Sequence, residues 1–115
     1  MSARADTIIF PVSDLPKATQ LFRTLLGVEP VMDEPYYVGF RVDGQDIGLD
    51  PHGHRIGTTG PVCYWEVDDI DAARQQLLTA GASELQPVRD VGGGKLVTVL
   101  ADGDGNPIGL SKSPW

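Results

Sequence analysis

Val12-Ser13-Asp14-Leu15 and Val67-Asp68-Asp69-Ile70 are the two stretches whose reading decides the fold. Each carries a valine closing a β-rich run, then a residue suited to cap a helix, then an aliphatic residue that opens a helical pattern. Working outward from the first, residues 7–12 read as a strand, and Ser13 or Asp14 caps a helix with Pro16 in its first turn. Leu15, Ala18, Leu21, Phe22, Leu25 and Leu26 fall at helical spacing on one face, and Gly27 ends the run as a C′ glycine does. Around the second stretch the order repeats. Residues 62–67 read as a strand, Asp68 or Asp69 caps a helix carrying Ile70, Ala73, Leu77 and Ala80, and Gly81 ends it.

Three short strands follow each helix. After the first they are residues 28–32, 36–42 and 45–50, the last two joined by the tight-turn dipeptide Asp43-Gly44. After the second they are residues 82–88, 95–101 and 107–111. Gly92-Gly93-Gly94 lies between the first two of these, and Asp102-Gly103-Asp104-Gly105-Asn106 between the last two. The copies can be measured against each other: the valines are 67 − 12 = 55 positions apart, the helix-ending glycines 81 − 27 = 54, and Ile47-Gly48-Leu49 lies 108 − 47 = 61 before Ile108-Gly109-Leu110. The drift implies insertions in the loops of the second copy. The chain therefore reads as α+β, one domain of two tandem βαβββ modules at residues 1–55 and 60–115, with the Gly- and Pro-rich residues 51–61 as connector.

Bulk properties narrow the function. Sixteen acidic residues against nine basic ones give a net charge of −7, which speaks against a nucleic-acid partner and favours a cationic ligand. No apolar run is long enough to span a membrane, and the first six residues contain no signal-peptide core. Cys63 is the only cysteine, so an intrachain disulfide is excluded and a reducing, cytoplasmic setting is expected.

In the order and spacing of these motifs the chain resembles the vicinal oxygen chelate superfamily, which includes glyoxalase I, bleomycin-resistance proteins and extradiol dioxygenases. The resemblance rests on Val12-Ser13-Asp14 before a helix, Phe22 with Leu26-Gly27 at its end, Val67-Asp68-Asp69-Ile70, and the turn from Asp102 to Pro107. It implies a mostly antiparallel mixed sheet curved into a cup, helices outside, and a homodimer with ligand sites near the subunit interface. It also implies four metal-ligand points, which fall here on Thr7, Gly48, Val62 and Gly109. Glycine and valine side chains have no donor atom, and a neutral threonine oxygen alone is a poor ligand, so no metal and no other cofactor is expected.

Strand alternation assigns the remaining faces. Val38, Phe40, Val42, Ile47, Leu49, Ile108 and Leu110 suit the helix side, as do Cys63, Trp65 and Val67. The cup side receives Tyr37, Arg41, Asp46, Asp50, Tyr64 and Glu66, with Ser111 beside them. By the repeat, Leu96, Thr98 and Leu100 join them. Aromatic walls with a few fixed charges suit a small molecule, and aromatic faces stack planar ligands and attract cations. The expected ligand-binding set is Tyr37, Arg41, Asp46, Asp50, Tyr64, Glu66 and Thr98. Arg41 has a plainer alternative, an ion pair with Asp46 or Glu66.

Three functions remain open. The first is a metal-independent binding protein that sequesters a cationic or aromatic natural product, in the manner of bleomycin-resistance proteins. The second is a lyase, isomerase or dioxygenase of this superfamily using unusual residues, for which Asp50, His52 and His54 are the fallback metal ligands. The third is a structural or regulatory protein whose cup is filled by its own side chains.

Overall fold

The computed structural model describes residues 3–52 and 60–115. Among the described residues, eight strands and two helices follow in the order β1 (Ala3–Pro11), α1 (Leu15–Leu26), β2 (Met32–Glu34), β3 (Tyr37–Val42), β4 (Gln45–Asp50), β5 (Val62–Val67), α2 (Ile70–Thr79), β6 (Ser83–Asp90), β7 (Leu96–Ala101) and β8 (Pro107–Lys112). This is the α+β arrangement of two tandem βαβββ modules. The chain forms two compact units: Thr7–Val62, and the described part of Met1–Asp6 together with Cys63–Trp115. No described helix is long and apolar enough to cross a membrane.

The N-terminal unit orders its strands β2-β3-β4-β1. β1 runs parallel to β4, and β3 is antiparallel to both β4 and β2. The parallel pair needs a crossover, which α1 and the strands after it supply. Asp14 starts α1 by accepting the backbone N–H of Lys17 on Oδ1 at 3.1 Å, and Gly27 ends it at φ 70° with its N–H on the carbonyl of Arg23. Val38, Phe40 and Leu49 form the buried core, with Phe10, Leu15, Ala18, Phe22 and Leu26 packed on it. Leu21 and Leu25 do not join that face and stay exposed. The six apolar positions read as one stripe span more of the helix circumference than a single sheet can cover.

The C-terminal unit repeats the plan with the order β5-β8-β7-β6. β5 is parallel to β8, and β7 is antiparallel to both β8 and β6. Asp69 caps α2 by accepting the N–H of Ala72 at 3.0 Å. Val67, Ile70, Ala73, Leu100 and Leu110 form the core, with Leu77, Leu78 and Leu96 against it. The carboxylate of Asp102 fastens the turn before β8, accepting the N–H of Asp104 and both the backbone N–H and the side-chain amide of Asn106.

One face assignment is corrected. Leu96, Thr98 and Leu100 were expected on the face away from α2, yet Leu96 and Leu100 pack into the α2 core. Thr98 stands opposite Leu110, a member of the same core. Phe40 faces Ile47 across β3 and β4, while Leu100 faces Ile108 across β7 and β8. The third strands are thus offset by 100 − 40 = 60 and the fourth by 61, because the Asp102–Asn106 turn is longer than Asp43-Gly44. A one-residue slip turns a whole strand over. Val97, Val99 and Ala101 take the far face instead.

Thr98 accordingly leaves the ligand-binding set. It is fully buried, and its hydroxyl donates to the carbonyl of Gln86 at 2.7 Å. Thr98→Val is expected to cost about 1 kcal/mol for the lost hydrogen bond, read from urea unfolding, and to leave ligand binding unchanged.

Candidate functional site

In the N-terminal unit, Tyr37, Gly39 and Arg41 of β3 and Asp46, Gly48 and Asp50 of β4 alternate on the face turned from α1, with Arg41 directly opposite Asp46 and Gly39 opposite Gly48. Tyr37 lies across both glycines. A Cβ built on Gly48 would overlap its hydroxyl and stand 2.6 Å from its Cζ, and one on Gly39 would stand 3.3 Å from Cε2. The ring occupies the space that the absent side chains leave. Arg41 Nε donates to Asp46 Oδ1 at 2.7 Å, with Nη2 on Oδ2 at 3.4 Å. The plainer alternative for Arg41 therefore holds for Asp46: each answers the other across the strand pair. Asp50 turns its carboxylate to the chain itself, accepting the N–H of His52 at 2.7 Å. His54 lies outside the described residues, so the Asp50-His52-His54 set stays an expectation. Among the described residues no group of three His, Cys, Asp or Glu side chains could hold a metal.

In the C-terminal unit, Tyr64 and Glu66 of β5 stand beside Gly109 and Ser111 of β8 on the face turned from α2. Tyr64 covers Gly109 as Tyr37 covers Gly48. A Cβ on Gly109 would meet Tyr64 Cδ1 at 2.6 Å, its Cγ at 2.8 Å and the carbonyl oxygen of Cys63 at 3.0 Å. Glu66 is the most firmly held acid of this face: Oε2 accepts the Ser111 hydroxyl at 3.0 Å and Oε1 the backbone N–H of Ser113 at 2.6 Å. Burial pushes its pKa up. The hydrogen bonds from Ser113 and Ser111 and the Lys95 ammonium outweigh burial and hold it below the ordinary 4.5. Burial pushes the Cys63 thiol up, so this cysteine is no thiolate nucleophile at neutral pH.

The depressed Glu66 value makes a pH prediction. A carboxylate with a lowered folded pKa contributes stability above its unfolded value and loses it as pH falls through the folded one. The urea midpoint of the native protein is expected to fall more steeply below pH 4.5 than that of Glu66→Gln. Parallel curves would remove Glu66 from the acid response.

The metal-ligand points that the family resemblance implies fall on Thr7, Gly48, Val62 and Gly109. The fourth strand of each unit offers a glycine where a carboxylate would be needed, and a tyrosine ring fills the space in front of it. Thr7 and Val62 are nearly buried, and a valine has nothing to donate. The residues present do not fit a divalent metal at these points.

Tyr37, Arg41, Asp46 and Asp50 thus share one face of the N-terminal unit, while Tyr64 and Glu66 share one face of the C-terminal unit. Sequence reasoning put Ser111 on the right face without its role toward Glu66. It missed Ser113, Lys112, Arg4 and Asp68, which neighbour Glu66 or line the cavity next to it. Period-2 alternation gives no signal for residues beyond the end of a strand, such as Ser113.

A sequence model of the Glyoxalase/Bleomycin resistance protein/Dioxygenase superfamily matches residues 4–110. No curated protein matches the chain. Several solved structures share its fold. A hypothetical protein from Bacillus halodurans C-125 superposes with a TM-score of 0.77 at 15% identity, covering 100% of this chain and 97% of the other. A glyoxalase/bleomycin resistance protein/dioxygenase superfamily member from Vibrio splendidus 12B01 gives 0.73 at 17% identity, with 97% and 100% covered. A variant of Streptomyces coelicolor methylmalonyl-CoA epimerase, in complex with 2-nitronate-propionyl-CoA, gives 0.73 at 19% identity, with 100% of both chains covered. At these identities the likeness extends to the fold alone, but with the family match over nearly the whole length the conclusion is firm: the chain belongs to the glyoxalase/bleomycin resistance protein/dioxygenase superfamily.

Proposed function

We propose that the protein is a metal-independent small-molecule binding protein of this superfamily, holding a cationic or planar aromatic compound, such as a natural-product antibiotic, out of harm's way. The observation that supports this reading is the pair of tyrosines, Tyr37 over Gly48 and Tyr64 over Gly109, set where a metal enzyme needs donors. The half-buried ring of Tyr37 offers stacking surface and a partially negative face for a cation, and the net charge of −7 favours the same ligands. The working form is the homodimer that the family resemblance implies, in the reducing, cytoplasmic setting that the single cysteine suggests.

Proton-transfer chemistry is less well served. A general base working near neutrality needs a carboxylate whose pKa is raised, whereas Glu66 is held low by its two serines. Calorimetry with a panel of cationic and planar aromatic compounds, run with and without chelator, tests the proposal. It predicts binding by members of the panel that chelation does not weaken. Binding that disappears with chelator, or a panel that does not bind at all, would overturn it.

A further inference from the structure

A cavity of about 230 Å³ lies in the C-terminal unit, with Arg4, Glu66, Val67, Asp68, Lys112 and Trp115 among its walls. We infer that it is a binding site for a small zwitterion of amino-acid size, carrying one ammonium and one carboxylate group. The volume lies below the roughly 300 Å³ at which pockets for drug-sized ligands begin. Glu66 and Asp68 line it together with Arg4 and Lys112, yet no described ion pair joins the acids to the bases. Arg4 pairs with Asp6, at 3.8 Å. Lys112 turns its ammonium to the main-chain oxygens of Ser113, at 2.6 Å, and Trp115, at 3.2 Å. Glu66 is committed to Ser111 and Ser113.

Each of these groups keeps hydrogen-bonding capacity. A carboxylate oxygen accepts about two bonds, an ammonium donates three and a guanidinium five. A simple cation would answer Glu66 and Asp68 and be repelled by Arg4 and Lys112, and a simple anion the reverse. A molecule with both charges a few bonds apart answers all four.

The walls are also held in place. Lys112 clamps Ser113 and Trp115 through their main-chain oxygens, and the N–H of Ser113 is fixed on Glu66. Pro114 sits so close to Gly94 that a Cβ there would come within 3.2 Å of it. The Trp115 indole, 92% exposed, is then a large apolar surface beside two carboxylates, placed to take the ligand's apolar part or the face of its ammonium.

The inference rests on reading the chain as a binding protein but not on what binds at Tyr37 and Tyr64. The test screens the free amino acids by NMR against the Trp115 indole N–H, with Trp65, on the helix side of β5, as internal reference. The tightest is then compared by calorimetry with its methyl ester, which lacks the anion, and its N-acetyl derivative, which lacks the cation. Masking either charge is expected to weaken binding at least about tenfold, the size of one charge-assisted hydrogen bond. Glu66→Gln and Arg4→Gln are each expected to do the same, while Glu29→Gln, which does not line the cavity, has no effect. Equal binding of all three forms, indifference to both Glu66→Gln and Arg4→Gln, or no amino acid bound at all would overturn the inference. If the cationic and aromatic panel still binds, this cavity alone falls; a stoichiometric metal in the protein would sink the metal-independent reading and leave the zwitterion comparison to stand by itself.

Discussion

Gly109→Ala is expected to lower the unfolding free energy by about 3 kcal/mol, the upper part of the range for overpacking a well-filled interior. The added methyl group would meet the root of the Tyr64 ring, at Cδ1 and Cγ, and the backbone carbonyl of Cys63. Neither can step aside cheaply: Tyr64 is buried, and the carbonyl belongs to β5 of the ladder. The matching change Gly48→Ala is expected to cost less, about 1 kcal/mol, because it meets the far end of Tyr37, which is only half-buried and can swing outward. Paired with Tyr64→Ala, the alanine at 109 is expected to lose most of its cost, a coupling of about 2 kcal/mol in a double-mutant cycle. Urea unfolding of the four proteins measures it. Additive losses would mean that the glycine is there for some reason other than the ring.

Phe40→Ala is expected to be larger still, about 4 kcal/mol by the usual cost of emptying an aromatic core position, a substantial share of the stability of an ordinary domain. Phe40 is 1% exposed and sits with Val38 and Leu49 beneath α1. The same strand carries Tyr37 and Arg41 on its other face, so the loss reaches the candidate site through the sheet. Thermal unfolding is the direct readout, with a fall in Tm on the order of 15 °C. A loss below about 2 kcal/mol would mean that the core around Phe40 collapses to fill the gap.

Much of the fold was legible in the sequence because the signals are local. Asp14, Gly27 and Asp69 mark helix ends by cap chemistry that needs no tertiary context, and Gly81 follows the Ala80 cap of α2 at φ 114°. β5 was legible from its valine- and aromatic-rich run, and β4 and β8 as the strands returning after the turns at Asp43-Gly44 and Asp102–Asn106. β2 was misplaced, expected at residues 28–32 and found at Met32–Glu34. Its three residues are all exposed, so it buries no face and leaves no alternation to read. β1 begins four residues earlier than expected because Ala3–Asp6 is a polar, largely exposed stretch whose pairing carries no hydrophobic pattern.

The site was legible only in part. The glycines at 48 and 109 marked the missing donors, but nothing in the order of residues says that a tyrosine from β3 covers one and a tyrosine from β5 the other. That depends on side-chain direction across strands. Thr98 was misplaced because the offset between the copies changes by one residue, from 60 to 61, across the turn before β8. The cavity beside Glu66 was out of reach for another reason: its walls come from Arg4, from the residues before α2 and from the chain after β8, three segments that share no pattern.

Elemental analysis of the untagged protein, purified without chelator or added metal, tests the central claim most directly. The tyrosines over Gly48 and Gly109 predict zinc, iron, nickel and manganese all far below one ion per chain. One bound ion per chain, retained through dialysis, would contradict the account.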